Sequence, residues 1–245
     1  MGRRALNRAT LERQLLLRRH DLFAVEAVTH LVGLQAQAPF PPYFSLWSRI
    51  AGFEPQHLAR ALLGRDVVRI VVMRGTIHLV TGDDALALRP LTQPIMDRDL
   101  RTNKTYAPPL EGLDLDELGA AARAAVEAEP RTGKQLGAVL AERWPGRDQA
   151  ALAYAARNLL PLVQVPPRAV WGMSGQPTYT TVESWLGRPL DRDPSLDRTV
   201  LRYLAAFGPA TVADVQTWSG LTRLREVVER LRPQLRVFAD EHGRE

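Results

Sequence analysis

Apolar residues recur along the chain at three- and four-residue spacings, and each series of such blocks closes on a short β-branched stretch. In the first series Thr10 is placed to cap a helix bearing Leu11, Leu15 and Leu16. Asp21 is placed to cap a second, with Val25, Val28, Leu31 and Val32 on its buried side. Residues 43–50 and 54–63 keep helical spacing. Residues 67–73 and 77–81 are β-branched on either side of Gly75, which predicts two paired strands. Helices followed by a hairpin are the pattern of a winged helix, a helix-turn-helix carrying a β-ribbon.

The pattern recurs. Helices are expected over 114–128, from a Thr132 cap through 144, and over 149–162, with a ribbon from 163–171 and 178–182 about the Gly172, Ser174, Gly175 turn. A third copy has helices over 198–207, over 212–219 behind a Thr211 cap, and to Leu231 behind a Thr222 cap. Residues 235–239 then start a strand, and a turn-like His242-Gly243 pair leaves it without a partner. That half-wing predicts a fragment or a truncated reading frame. The expected division is a first module over 1–82, a linker over 83–113, a second module over 114–195 and an incomplete third over 196–245. The start of the linker is helix-compatible, and its proline-bearing 102–109 portion reads as mobile loop. The fold class is thus mainly α with small β-hairpins, an α+β chain of tandem modules.

Composition narrows the chemistry. The chain has no cysteine, which removes disulfides, thiolate catalysis and Cys-based metal sites, and its five scattered histidines form no metal-ligand pair, so no metal is expected. No run of about 20 apolar residues and no apolar block behind the basic start is present, so a cytoplasmic location with no membrane contact is expected. Net charge is +5, and Lys104 and Lys134 are the only lysines among 32 Lys and Arg residues. Arginine binds phosphate bidentately and stacks on bases, which favours a nucleic-acid partner, although a GC-rich genome enriches arginine as well. Schiff-base chemistry would fall on one of two lysines, and neither lies in a pocket-like sequence.

The candidate chemistry lies at Gln35-Ala36-Gln37, between an apolar helix and the Pro39, Pro41, Pro42 cluster. Prolines disfavour helix in the residues before them. In extended backbone, positions i and i+2 share a face, so Gln35 and Gln37 converge while Ala36 turns inward. Glutamine does not titrate, but its carbonyl holds water and faces developing positive charge. That suits hydrolysis with a good leaving group. The plainer alternative is that the two amides cap a helix end or bond the backbone.

With Gln35-Ala36-Gln37, the run Tyr43, Phe44, Leu46, Trp47, Arg49 and the ribbon Arg74-Gly75-Thr76-Ile77-His78 in view, the chain resembles the AlkZ-type bacterial DNA glycosylases, related to the YcaQ group. The likeness runs over essentially the whole chain. It implies three tandem winged helices around a C-shaped DNA channel, and excision of N7-alkylated purines, with interstrand crosslinks as substrates of some members. It places Gln35 and Gln37 at the glycosidic bond, in the two-glutamine form of the family motif. It implies no cofactor, a bacterial monofunctional enzyme, and alkylated or crosslinked double-stranded DNA as the partner of a monomer.

Other residues divide between binding and packing. Arg74, Thr76 and His78 alternate on a strand and share a face, either toward DNA phosphates or as the solvated side of a wing. Trp47 reads as core more readily than as a base-stacking residue. Arg157 and Asn158 occupy the groove-entering helix of the second module, with Arg223 and Arg225 in the equivalent place of the third, all as phosphate contacts. A second reading stays open: a non-catalytic winged-helix DNA-binding protein, such as a regulator or a decayed relative.

Overall fold

The computed structural model describes residues 2–239, 241 and 243. Helix α1 (Arg3–Arg13) precedes a first unit built as α2 (Ala24–His30), β1 (Leu34–Gln35), α3 (Pro41–Trp47), α4 (Pro55–Leu63), β2 (Val67–Val71) and β3 (Ile77–Thr81). Helix α5 (Gly82–Thr102) leads to a second unit of the same order: α6 (Leu115–Ala128), β4 (Arg131–Thr132), α7 (Gly133–Arg143), α8 (Gln149–Leu159), β5 (Leu162–Gln164) and β6 (Thr178–Thr181). After α9 (Val182–Leu186) come α10 (Leu196–Phe207), α11 (Val212–Ser219) and α12 (Arg225–Leu231). The fold is α+β, mainly helical with small hairpins, in the tandem winged-helix pattern that the spacing predicts. No helix among the described residues is long and apolar enough to cross a membrane.

The two hairpins join edge to edge. β2 pairs with β5 antiparallel, Arg69 opposite Gln164 and Ile70 opposite Val163, giving one sheet in the order β1-β3-β2-β5-β6-β4. On each side of that seam a hairpin is followed by a two-residue edge strand. Such short strands have no periodicity to read, and the spacing of apolar residues does not predict them. Caps hold where expected at Thr132 and Thr211, whose side chains accept from the Gln135 and Asp214 amides.

Several expected boundaries move. Thr10 lies inside α1, which starts at Arg3, and α2 is closed at its start not by Asp21 but by the Glu26 carboxylate accepting from the Phe23 amide. Pro161 ends α8 early, and β5 stops at Gln164 before Pro166. Thr222 caps nothing, because Arg223 sits at φ 62° in a turn and α12 begins at Arg225. Residues 235–239 follow the helices without joining a strand ladder, and His242 lies outside the described residues.

Residues 83–102, read as the helix-compatible start of a linker, are a packed helix. They form most of α5, capped by the Thr81 side chain accepting from the Asp84 amide, with Leu86, Leu88, Arg89, Met96 and Leu100 buried. Buried Arg89 donates to the carbonyls of Asn158 (2.9 Å) and Leu160 (3.3 Å), which ties α5 to the end of α8. The segment after it, expected to be mobile loop, is tied too. Asn103 Oδ1 accepts from the amides of residues 105 and 106, and Tyr106 stacks on Tyr154 at 4.4 Å.

The third helical group docks on the first unit. Arg202 Nη2 donates to Asp84 Oδ2 at 2.9 Å and to the Thr29 carbonyl at 2.6 Å. Gly220, which ends α11 at φ 80°, lies so close to the ribbon tip that a Cβ there would stand 2.9 Å from the Arg74 Cα. Residues 144 positions apart are thereby brought together: Arg74 Nη1 donates to the Trp218 carbonyl at 2.6 Å.

Candidate active site

The chain enters β1 through a corner that only glycine fits. Val32 has φ 54° and Gly33 φ 100°, and a Cβ on Gly33 would stand 2.6 Å from Val80 Cγ1. The corner sets the register, with Leu34 opposite Leu79 and Gln35 opposite His78. The Ala36 amide continues the ladder by donating to the Ile77 carbonyl at 2.8 Å. Ala36 is wholly buried in the first core, while Gln35 and Gln37 are exposed. The alternation expected of extended backbone is therefore present, and Pro41 at the start of α3 ends it.

Each amide already holds one partner. Gln37 Oε1 accepts from the Ile77 amide at 3.1 Å, standing in for the next carbonyl of the ladder, and Gln35 Oε1 accepts from Arg74 Nη2 at 3.3 Å. A carbonyl oxygen has two lone pairs, so one acceptor site on each remains. The bond to Ile77 fixes the rotamer of Gln37, which is preorganisation of the kind a water-positioning group needs.

The ribbon tip is not the flat strand face that the alternation of Arg74, Thr76 and His78 suggests. Met73–Gly75 is a 3-10 turn with Arg74 at φ 57°, so the alternation breaks there. Arg74 is exposed, Thr76 is half-buried with its hydroxyl donating to the Met73 carbonyl, and His78 is 3% exposed. His78 thus sits beneath the surface, where it meets no outside ligand. Burial, helped by the Arg74 charge and opposed by the bond to the Thr76 carbonyl, lowers its pKa from 6.5 to about 4. The imidazole is neutral at neutral pH. Its Nδ1 donates to the Thr76 carbonyl (2.9 Å), leaving Nε2 to accept from Arg74 Nη2 at 3.4 Å. Arg74 is accordingly clamped between Gln35, His78 and the third helical group.

A cleft of about 840 Å³ opens beside Gln35, lined by Gln35 and Arg74, by Asn7 and Thr10 of α1 and Gln14 just after it, and by Tyr203, Phe207, Asp214 and Trp218, while Gln37 is not part of its lining. The contributions of α1 and of Trp218 had no signal in the sequence. None of Arg157, Asn158, Arg223 and Arg225 lines it. Arg157 is exposed with its guanidinium over Tyr179, and Arg223 and Arg225 are exposed at the start of α12. Asn158 is 6% exposed and its amide donates to the Tyr154 carbonyl at 3.0 Å, so this side chain packs the α8 end.

The fold is similar to a known protein's. The solved structure of Streptomyces sahachiroi DNA glycosylase AlkZ superposes with a TM-score of 0.75 at 23% identity, over 96% of this chain. The match takes in 66% of that protein, so the chain spans somewhat under two thirds of its length. Comparison with curated proteins gave no match. The family model described as DNA glycosylase AlkZ-like matches residues 28–245, most of the chain, and the chain belongs to the AlkZ-like family.

Proposed function

We propose that the protein is a DNA glycosylase that hydrolyses the N-glycosidic bond of N7-alkylated purines, and that interstrand crosslinks of the same N7 chemistry are within its range. The observation that carries this reading is the pair of exposed amides at the end of β1 and just beyond it, on either side of a buried alanine and pinned at Gln37 by the Ile77 amide. An N7-alkylated purine is already cationic and leaves without being protonated. Water held by the second lone pair of Gln37 adds to C1′ as the bond to N9 breaks. The bonding electrons neutralise the purinium, and the water proton passes to solvent. Gln35 supports the sugar face, while Arg74, bonded to its oxygen, faces a phosphate. The open cleft leaves room for an adduct larger than a methyl group.

One observation favours the rival, a non-catalytic DNA-binding protein: both amide oxygens already accept a protein donor. Release of N7-methylguanine from alkylated duplex DNA separates the two. We expect release, an intact abasic strand, and no species trapped by borohydride, since neither lysine lines the cleft. Gln37→Ala should slow single-turnover release roughly a hundredfold, the usual worth of one preorganised dipole, with DNA affinity unchanged. The rate should be flat across neutral pH, because His78 titrates near 4 and glutamine not at all. Binding without release by the unaltered protein would establish the rival.

A further inference from the structure

The surface leading away from the glutamine pair is aromatic. Phe40, Phe44 and Trp47 follow one another at four- and three-residue spacing and share one side of α3. They are 39%, 63% and 54% exposed, whereas Tyr43 and Leu46 on the other side are buried. The helix therefore packs fully without them, and Trp47, which the sequence suggests as core, stands on the surface. Trp171 extends the patch, 40% exposed with its ring 5.7 Å from that of Phe40. Phe40 lies three residues after Gln37, a reach of at most about 11 Å. From Phe40 to Trp47 the helix rises about 10 Å, which matches about three steps of a nucleic-acid strand at 3.4 Å each.

The patch is also cationic. The Arg19 guanidinium lies 3.9 Å from the centre of the Trp47 ring. Buried Arg69 donates to Gln164 Oε1 and reaches the Ala38 carbonyl, and half-buried Arg168 near it bonds the Gly175 carbonyl through Nη1 while its buried Nε has no partner. Among the described residues no carboxylate pairs with Arg19, Arg69 or Arg168. Aromatic faces joined to uncompensated cations suit a polyanion that carries π-systems, not an aliphatic or acidic-apolar protein surface.

We propose that Phe40, Phe44, Trp47 and Trp171 form a stacking platform for unpaired bases of the DNA strand beside the lesion, with Arg19 and Arg168 meeting its phosphates. The placement rests on the glycosylase reading, but the binding can be read without any lesion. Tryptophan fluorescence should be quenched by an undamaged oligothymidylate, and Phe44→Ala and Trp47→Ala should each weaken that binding roughly tenfold. Trp47→Phe should restore most of it. Both side chains are exposed, so thermal melts of the variants should match the unaltered protein. Inorganic polyphosphate, which has charge and no bases, should bind all forms alike. Equal loss of both ligands, or unchanged oligothymidylate affinity in the double alanine variant, would overturn the platform. So would a dimer in sedimentation that Phe44→Ala dissolves, since the face would then join two copies of the chain. Failure of excision with this binding intact would sink only the glycosylase reading.

Discussion

The two edge strands of the sheet occupy matching places and are used in opposite ways. β4 lies beyond β6 as β1 lies beyond β3, each two residues long and antiparallel to its hairpin. In β4 both side chains serve the structure. Arg131 Nε donates to the Ala125 carbonyl, and Thr132 closes α7 by a reciprocal cap with Gln135. In β1 the polar chains cap no helix. Gln35 and Gln37 stand exposed, Gln35 in the wall of a cleft, and only Ala36, in the core, serves packing. The architecture needs a short strand at this position but not a glutamine in it and another two residues on. What the fold leaves undetermined is where chemistry can be placed.

The difference extends to the glycine next to each strand, and the largest expected effect tests it there. Gly33→Ala adds a Cβ 2.6 Å from Val80 Cγ1 at a left-handed φ, and strain and crowding together should cost about 3 kcal/mol. Gly133, the first residue after β4, has no positive φ, and a Cβ added to it would meet nothing within 4 Å. Gly133→Ala should change stability by less than about 0.5 kcal/mol. Urea unfolding of the two variants measures both, and equal losses would mean that the β1 corner is no more constrained than its counterpart.

Acid sensitivity should also belong to the β1 side. His78 lies opposite Gln35 in the register, and its folded pKa of about 4 is below the ordinary 6.5. The unfolded chain then binds the extra proton first. Stability from this group is complete above 6.5 and is lost as pH falls toward 4. The loss can reach about 3 kcal/mol. Opposite Thr132 stands Thr178, which brings no imidazole to the β4 side. A urea-midpoint difference between the protein and His78→Asn that narrows as pH drops through this window is the expected result. A constant difference would place the imidazole in contact with water.

Much of this contrast was legible in the sequence. The extended Gln-Ala-Gln run followed from proline and the period of two, and the hairpins from β-branched runs around a glycine. The site around the pair was not. Arg74 meets Trp218 across 144 residues, and the α1 wall of the cleft is made by a helix with no buried residue, so neither contact leaves a pattern along the chain. Alternation places His78 on an open face, but β3 runs between β1 and β2 and is buried at every position, so its side chains on both faces are covered. Asn158 was misjudged for a related reason. On α8 it sits in the position of a groove-facing residue, but α5, read as linker, covers that end of the helix. Trp47 shows the opposite error, since helical spacing that marks a buried stripe also marks an exposed one.

The smallest effects sharpen the comparison most, because they should fall on different observables. Thr132→Ala removes the side-chain acceptor of the Gln135 amide, and loss of such a cap costs about 1 kcal/mol. It should leave N7-methylguanine release unchanged, since Thr132 lies in β4, at the opposite edge of the sheet from β1. Gln35→Ala removes a bond between two exposed side chains, Gln35 and Arg74. Exposed pairs contribute little, so stability should move by less than about 0.5 kcal/mol. Release should nonetheless slow, and by less than for Gln37→Ala, because on the proposed reading Gln35 supports the sugar face and does not hold the water. If Gln35→Ala instead lowers the urea midpoint and spares the rate, the two edge strands serve the same purpose, and β1 is a structural element as β4 is.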